Sequence, residues 1–195
     1  MSKFKDLVLQ NRSYRGYDSS VKQTKEELIE LVDHARLMPA ARNIQPLKYF
    51  LAYEKEVVSR IQEHTKWAGL LSDLSLPFAG SEPTSFIVVL QDTDIDATLD
   101  LFKNDVGIVA AAITLAATEA GLGCCMIGAF SVNGVKEAIE LPENLLPVLV
   151  IAIGKPAEKI VLTDVKDGNI AYYRDEDNVH YVPKRKLEDI IVDTT

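Results

Sequence analysis

Arg12-Ser13-Tyr14-Arg15 brings two guanidiniums, a hydroxyl and several main-chain amides together. Such a set can surround a phosphate with charge-assisted hydrogen bonds, and arginine favours a planar fork on phosphate oxygens. The same four residues would also suit an exposed basic loop. Asn43-Ile44-Gln45-Pro46 adds two amides that donate and accept along polyol hydroxyls or a heterocycle edge. Asn and Pro are equally at home in a helix-to-strand turn. Gly121-Leu-Gly-Cys-Cys-Met-Ile-Gly128 has the glycines of a dinucleotide loop but the reverse order, because it closes a helix and opens a strand. Its glycines either let the backbone approach a flat ligand or cap the helix.

Other chemistries find little support. His34, His64 and His180 stand apart from one another, and Cys124-Cys125 is not a CxxC pair, so no metal site is expected. A lone histidine is a surface or packed residue far more often than a ligand. No GxSxG elbow and no Walker A sequence occurs. Cys124 and Cys125 lie in an apolar strand, which disfavours a thiolate and makes packing their expected role. No side chain is assigned to catalysis.

The elements that carry these residues follow from periodicity. Phe4, Leu7 and Val8 give a short opening helix, and Thr24 with Glu27 forms a capping box for a helix that ends before Pro39. Residues 49–53 read as a strand, 56–64 as a helix, and 86–90 as a buried strand. A helix over 95–120, apolar on nearly every face in its second half, should be the buried spine. A strand over 124–129, a helix over 132–141 and a central strand over 148–153 follow. Residues 160–165 and 170–173 are expected to pair as a hairpin around the turn at 166–169. Residues 187–192 read as a short helix or an extended tail. Helices and strands mix without strict alternation, which favours an α+β fold.

Composition bounds the function. The chain has 195 residues, a net charge of −8 and 47% hydrophobic residues, which suits one folded domain over 1–195. The acidic balance argues against nucleic acid as a partner. Residues 1–10 lack the apolar core of a leader, and the uncharged run over 106–118 is shorter than the ~20 residues a bilayer needs. A soluble, cytoplasmic protein without a membrane partner is expected. The charge is uneven, however. Residues 1–25 carry Lys3, Lys5, Arg12, Arg15, Lys22 and Lys25 against Asp6 and Asp18, and Lys184-Arg185-Lys186 form a second basic knot. These are either two solvated surfaces or two chain ends meeting around one small anion.

Taken in order, the segments resemble the nitroreductase family of flavin enzymes. The matching pieces are Arg12-Ser-Tyr-Arg15, Pro39-Ala-Ala-Arg-Asn-Ile-Gln-Pro46, Asp105-Val-Gly-Ile-Val-Ala-Ala-Ala112, Gly121 through Phe130, Val150-Ile-Ala-Ile-Gly-Lys-Pro156 and Val182-Pro-Lys-Arg-Lys-Leu-Glu-Asp189. The resemblance implies a central, mostly antiparallel sheet flanked by helices, in an intertwined homodimer with FMN at the subunit interface. It implies that NADH or NADPH donates electrons and that a nitroaromatic, quinone or similar small electrophile accepts them by a ping-pong route. By position, Arg12, Ser13, Tyr14 and Arg15 belong to the cofactor site, with Arg12, Ser13 and Arg15 holding the phosphate, ribityl chain and pyrimidine edge. Asn43 and Gln45 would reach the flavin of the other subunit, and Pro39, Ala40 and Ala41 would line its face. Met126, Ile127, Gly128 and Ala129 would pass beside the ring, and Lys184 and Arg185 would close on the phosphate.

A flavin would supply the redox chemistry, which accounts for the missing acid–base pair. A guanidinium such as Arg15 near N1 would raise the flavin potential, and Gly128 would leave one face open for stacking. The chain departs from the family where Asn11 replaces a frequent basic residue, Ala40 or Ala41 a frequent Ser, and Leu47 a frequent Trp. The stretch over 67–83 is short and is expected to shape the substrate pocket. Two other readings share some of these residues: an FMN-binding protein without NAD(P)H turnover, and a partner-binding module in which the Arg segment is surface.

Overall fold

Ser85–Asp92 forms a strand, β3, whose continuous apolar run is explained by burial on both faces. Phe86, Val88 and Leu90 face one core and Ile87 and Val89 the other. This strand is the middle of the protein in the computed structural model, which describes residues 3–71 and 73–192. Around it lie the other elements of the main body: α1 (Lys3–Gln10), β1 (Tyr17–Asp18), α2 (Lys25–Arg36), β2 (Leu47–Ala52), α3 (Lys55–Gln62), α4 (Leu99–Glu119), β4 (Gly123–Ile127), α5 (Val132–Ala138) and β5 (Leu145–Pro156). All ladders of this five-stranded sheet are antiparallel; β3 pairs with β2 and β5, and β5 also pairs with β4 and β1.

Helices cover both faces. One core joins α2 and α4 to the sheet through Leu28, Leu31, Val109, Ile113 and Ala117. The other joins α3 and α5 through Val58, Ile61, Val135 and Ala138. Mixed helices and an antiparallel sheet make this the α+β architecture expected from the sequence. The α2 capping box forms as expected: Thr24 Oγ1 accepts from Glu27 N–H at 3.2 Å, and Glu27 accepts from Thr24 N–H at 2.7 Å.

Two expectations change. The long helix starts at Leu99 rather than 95, because aspartates hold the preceding chain in turns: Asp92 accepts from Asp94 N–H and Asp96 from Thr98 N–H. Nor is it a spine buried all round. Ala110, Ile113 and Ala117 are buried, while Gly107 and Ala111 lie open on another face.

The hairpin expected over 160–173 is also corrected. A bridge between Lys166 and Asn169 closes the turn, but β6 (Ile160–Asp164) does not pair with the segment that follows it. Its partner is β8 (His180–Lys184), in parallel, and β8 in turn pairs antiparallel with β7 (Tyr173–Arg174). Turn chemistry is local, whereas a parallel partner lies a crossover away and leaves no mark beside the turn. Residues 187–189 form a single 3₁₀ turn. Among the described residues, no helix is long and apolar enough to cross a membrane.

Candidate flavin site

The loop between α1 and β1 carries the first set of candidate residues. Tyr14 N–H donates to Cys124 C=O at 2.9 Å, which lays the loop along the open edge of β4. This edge can be approached because Gly123 has no side chain: a Cβ there would meet the Tyr14 ring at 2.6 Å and Pro156 at 2.7 Å. Gly121, at φ +75°, takes the left-handed conformation that ends α4 and starts the connection to β4. Of the two glycine roles left open by the sequence, helix termination occurs at 121, while the close approach at 123 is to the Tyr14 ring and Pro156 of the chain itself.

The loop, β4, α4 and the small sheet enclose a cleft of about 330 Å³. Arg12, Ser13 and Arg15 line it beside Met126 and Lys184, and no carboxylate is among its lining residues. Of the two basic ends of the chain, Arg12 and Arg15 from one and Lys184 from the other meet in this cleft. Burial, the largest influence, lowers the Arg12 pKa from its ordinary value, so this guanidinium is short of the water that would stabilise its charge. Arg12 donates to Val8 C=O at 2.7 Å and Arg15 to Ser13 C=O at 3.3 Å, yet the Nε of each is buried with no partner. A half-buried cation with an unused, buried donor is an environment an oxyanion can fill.

Glu158 is held in a buried ion pair with Arg174 and accepts from the Arg15 main-chain N–H. Glu158 thereby ties β7 to the main chain of the Arg12–Arg15 loop.

The second set lies elsewhere. Pro39, Ala40 and Gln45 line a different cleft, of about 240 Å³, with Asp105, Tyr49 and Val109. Ala41 N–H donates to buried Asp105 at 2.9 Å, anchoring the 3₁₀ turn Ala41–Asn43 on α4. Arg42, Asn43 and Gln45 have φ of 52°, 55° and 54°. Asparagine tolerates that region, but for the other two it is strain of the order of 1 kcal/mol each, as functional loops often hold. Gln45 Nε2 donates to Asn43 Oδ1 at 3.0 Å and both side chains are exposed. No residue lines both clefts. The chain thus assembles Arg12, Ser13, Arg15, Met126 and Lys184, and separately Pro39, Ala40 and Gln45.

Four further candidates line neither cleft. Tyr14 packs its ring on Gly123, Ile127 is buried in the core, and Gly128 and Ala129 are exposed just past β4. A Cβ at Gly128 would meet nothing within 4 Å, so the backbone there borders open space. Arg185 is exposed and lines neither cleft. Both cysteines are buried and burial pushes both thiols up, Cys125 to about 11, so neither is a thiolate near neutrality.

Sequence reasoning passed over Thr114, Tyr172 and His180, all in the wall of the first cleft. Asn11 is there as well and donates to Thr114 Oγ1 at 3.0 Å. A signal for His180 existed: strand alternation puts His180, Val182 and Lys184 on one face, and all three line the cleft.

Known proteins place this geometry. A Methanothermobacter thermautotrophicus protein provisionally named an NADH dehydrogenase/NAD(P)H nitroreductase is 27% identical, over 83% of this chain and 82% of its own. The crystal structure of a nitroreductase family protein from Clostridium difficile 630 matches with a TM-score of 0.68 at 23% identity, covering 100% of this chain and 99% of that one. An FMN-dependent nitroreductase from Clostridium difficile R20291 gives 0.63 at 22% identity, over 78% and 87% of the two chains. At these identities the two structures establish the fold. The model of the nitroreductase family itself matches residues 8–155, most of the chain and both sets of candidate residues except the C-terminal basic pair, and the chain therefore belongs to the nitroreductase family.

Proposed function

We propose that the chain is a single FMN-binding domain over 1–195 that works as a cytoplasmic homodimer. Its reaction is hydride transfer from NADH or NADPH, by way of flavin, to a nitroaromatic, quinone or similar small electrophile, in alternating half-reactions. Family membership makes it an oxidoreductase, and the names of its relatives supply the NAD(P)H and FMN parts of the reading.

The observation that carries the cofactor is the set of unpartnered, buried guanidinium nitrogens in a cleft lined by no acid. Arg12 and Lys184 would hold the phosphate, with Arg185 reaching in from the rim. Ser13 and Arg15 would take the ribityl chain and pyrimidine edge, with Tyr14 fixing the loop. Met126, Ile127, Gly128 and Ala129 would border the ring with main chain and small side chains, leaving room for a stacked partner. Bound FMN would supply reversible two-electron chemistry, so the protein contributes position, charge and exclusion of water rather than an acid–base pair. A guanidinium beside the pyrimidine edge favours the reduced, more negative cofactor.

The dimer is supported by the separation of the two clefts. Pro39, Ala40, Ala41, Asn43 and Gln45 do not line the Arg12 cleft of their own chain, and in the proposed dimer they would complete that of a partner. Apolar residues left open point the same way: α1 has no buried residue and exposes Phe4, Val8 and Leu9, and Leu187, Ile190, Ile191 and Val192 are open at the other end.

Anaerobic titration tests the function. The purified protein should carry FMN or bind it at micromolar concentration, and NADH or NADPH should bleach the flavin band. Protein that binds no FMN overturns the proposal. Bound flavin that neither nucleotide bleaches leaves an FMN-binding protein without turnover. Arg12→Ala with Arg15→Ala should abolish FMN uptake, whereas unchanged flavin content would make the segment mere surface.

A further inference from the structure

The Arg12 cleft holds one more buried group that its arginines do not serve. His180 is 1% exposed, yet neither of its ring nitrogens has a partner among the described residues. Strand register puts it there: Val182 and Lys184, at period two, line the same cleft, as does Ile160, its partner in the parallel ladder. Tyr172 stacks on the imidazole at 5.3 Å between centroids, and the Arg15 guanidinium lies 5.0 Å from the centre of the Tyr172 ring.

The charged groups around it are cations on three elements: Arg15 on the loop after α1, Arg174 on β7 and Lys184 on its own strand. Glu158 is already engaged with Arg174. Burial first, then Arg15 and Arg174, lower the His180 pKa to about 4. The ring is therefore neutral near pH 7, with one nitrogen a donor and the other an acceptor. Among the buried, unpartnered atoms of this cleft, Arg12 Nε and Arg15 Nε can only donate, and the imidazole lone pair is the one acceptor. A flavin presents donors as well as acceptors, at its imide N–H and ribityl hydroxyls, and a guanidinium cannot receive them.

We propose that His180 is a positioning residue for the bound flavin, its neutral ring accepting a hydrogen bond from a flavin N–H or O–H. The proposal rests on the FMN reading above and adds to it the acceptor that sets how the cofactor is oriented between the arginines. A contact of this kind leaves the phosphate untouched, so it acts on riboflavin and FMN alike.

Binding and spectroscopy test it on the full-length protein. His180→Phe keeps a flat apolar ring and should weaken FMN about tenfold or more, while His180→Gln, which keeps an acceptor, should stay within about threefold. Riboflavin should lose by the same factor. With only three histidines in the chain, ¹⁵N-histidine spectra of the wild-type protein give a readout that needs no variant to fold. Adding FMN should shift one His180 ring nitrogen to a hydrogen-bonded position with the ring still neutral. Unchanged affinity in His180→Phe, a loss confined to FMN, or an unmoved His180 signal overturns the proposal. Wild-type protein that takes up no FMN overturns the cofactor reading first, which keeps the two failures distinct.

Discussion

At the scale of single residues, charge is placed where water is scarce. Arg12 and His180 both line the same cleft with pKa values lowered mainly by burial, and the two shifts have different consequences. Arg12 stays charged at every accessible pH and is improved by an anion. His180 titrates, and its effect on stability has a definite sign. The unfolded chain takes up a proton on this residue below about 6.5, while the native protein resists until about 4. Its contribution is full above pH 6.5 and is lost as pH falls toward 4, by up to about 3 kcal/mol. Asp18, Asp33 and Asp100, held low chiefly by Ser20, Arg36 and Lys103, keep their contributions above 3.8 and lose them only as pH falls below it, in a separate window. Urea unfolding of flavin-free protein should show stability falling from pH 7 to 5, with a shallower fall in His180→Gln. Parallel curves for the two proteins would contradict this account of His180.

At the scale of elements, local chemistry was legible and distant pairing was not. Thr24 and Glu27 announced α2, since both halves of a capping box lie within four residues. The run at β3 announced a strand, because burial on both faces removes alternation. The hairpin at 166–169 failed because β6 finds its partner in β8, across a crossover. The site divides in the same way. Arg12, Arg15 and Lys184 carry charge that any reading notices, while His180 becomes significant only when its strand register is known. A pair of substitutions separates element stability from site geometry. Thr24→Ala should cost about 1 kcal/mol and leave FMN affinity unchanged. Gly123→Ala should cost about 2 kcal/mol and also weaken FMN, because its Cβ drives the Tyr14 ring, and with it the Arg12–Arg15 loop, away from β4. Thermal melts and flavin titrations of both variants check this; equal flavin affinity in Gly123→Ala and wild type would contradict it.

At the scale of the whole molecule, the net charge of −8 conceals a cleft at which Arg12 and Arg15 meet Lys184 from the far end of the chain. The amide-bearing loop at 39–45 faces another cleft on the same chain, and the proposed enzyme is complete only when two chains supply one part each. Mixed dimers test this directly. One chain, tagged, would carry Arg12→Ala and Arg15→Ala; the other, with a different tag, would carry Asn43→Ala and Gln45→Ala. Each homodimer should bind little FMN, whereas the co-purified heterodimer should bind one FMN per dimer and bleach with NADH or NADPH, because one of its two sites has every wild-type residue. A heterodimer as empty as its parents, or flavin bound to a monomer, would contradict the shared site.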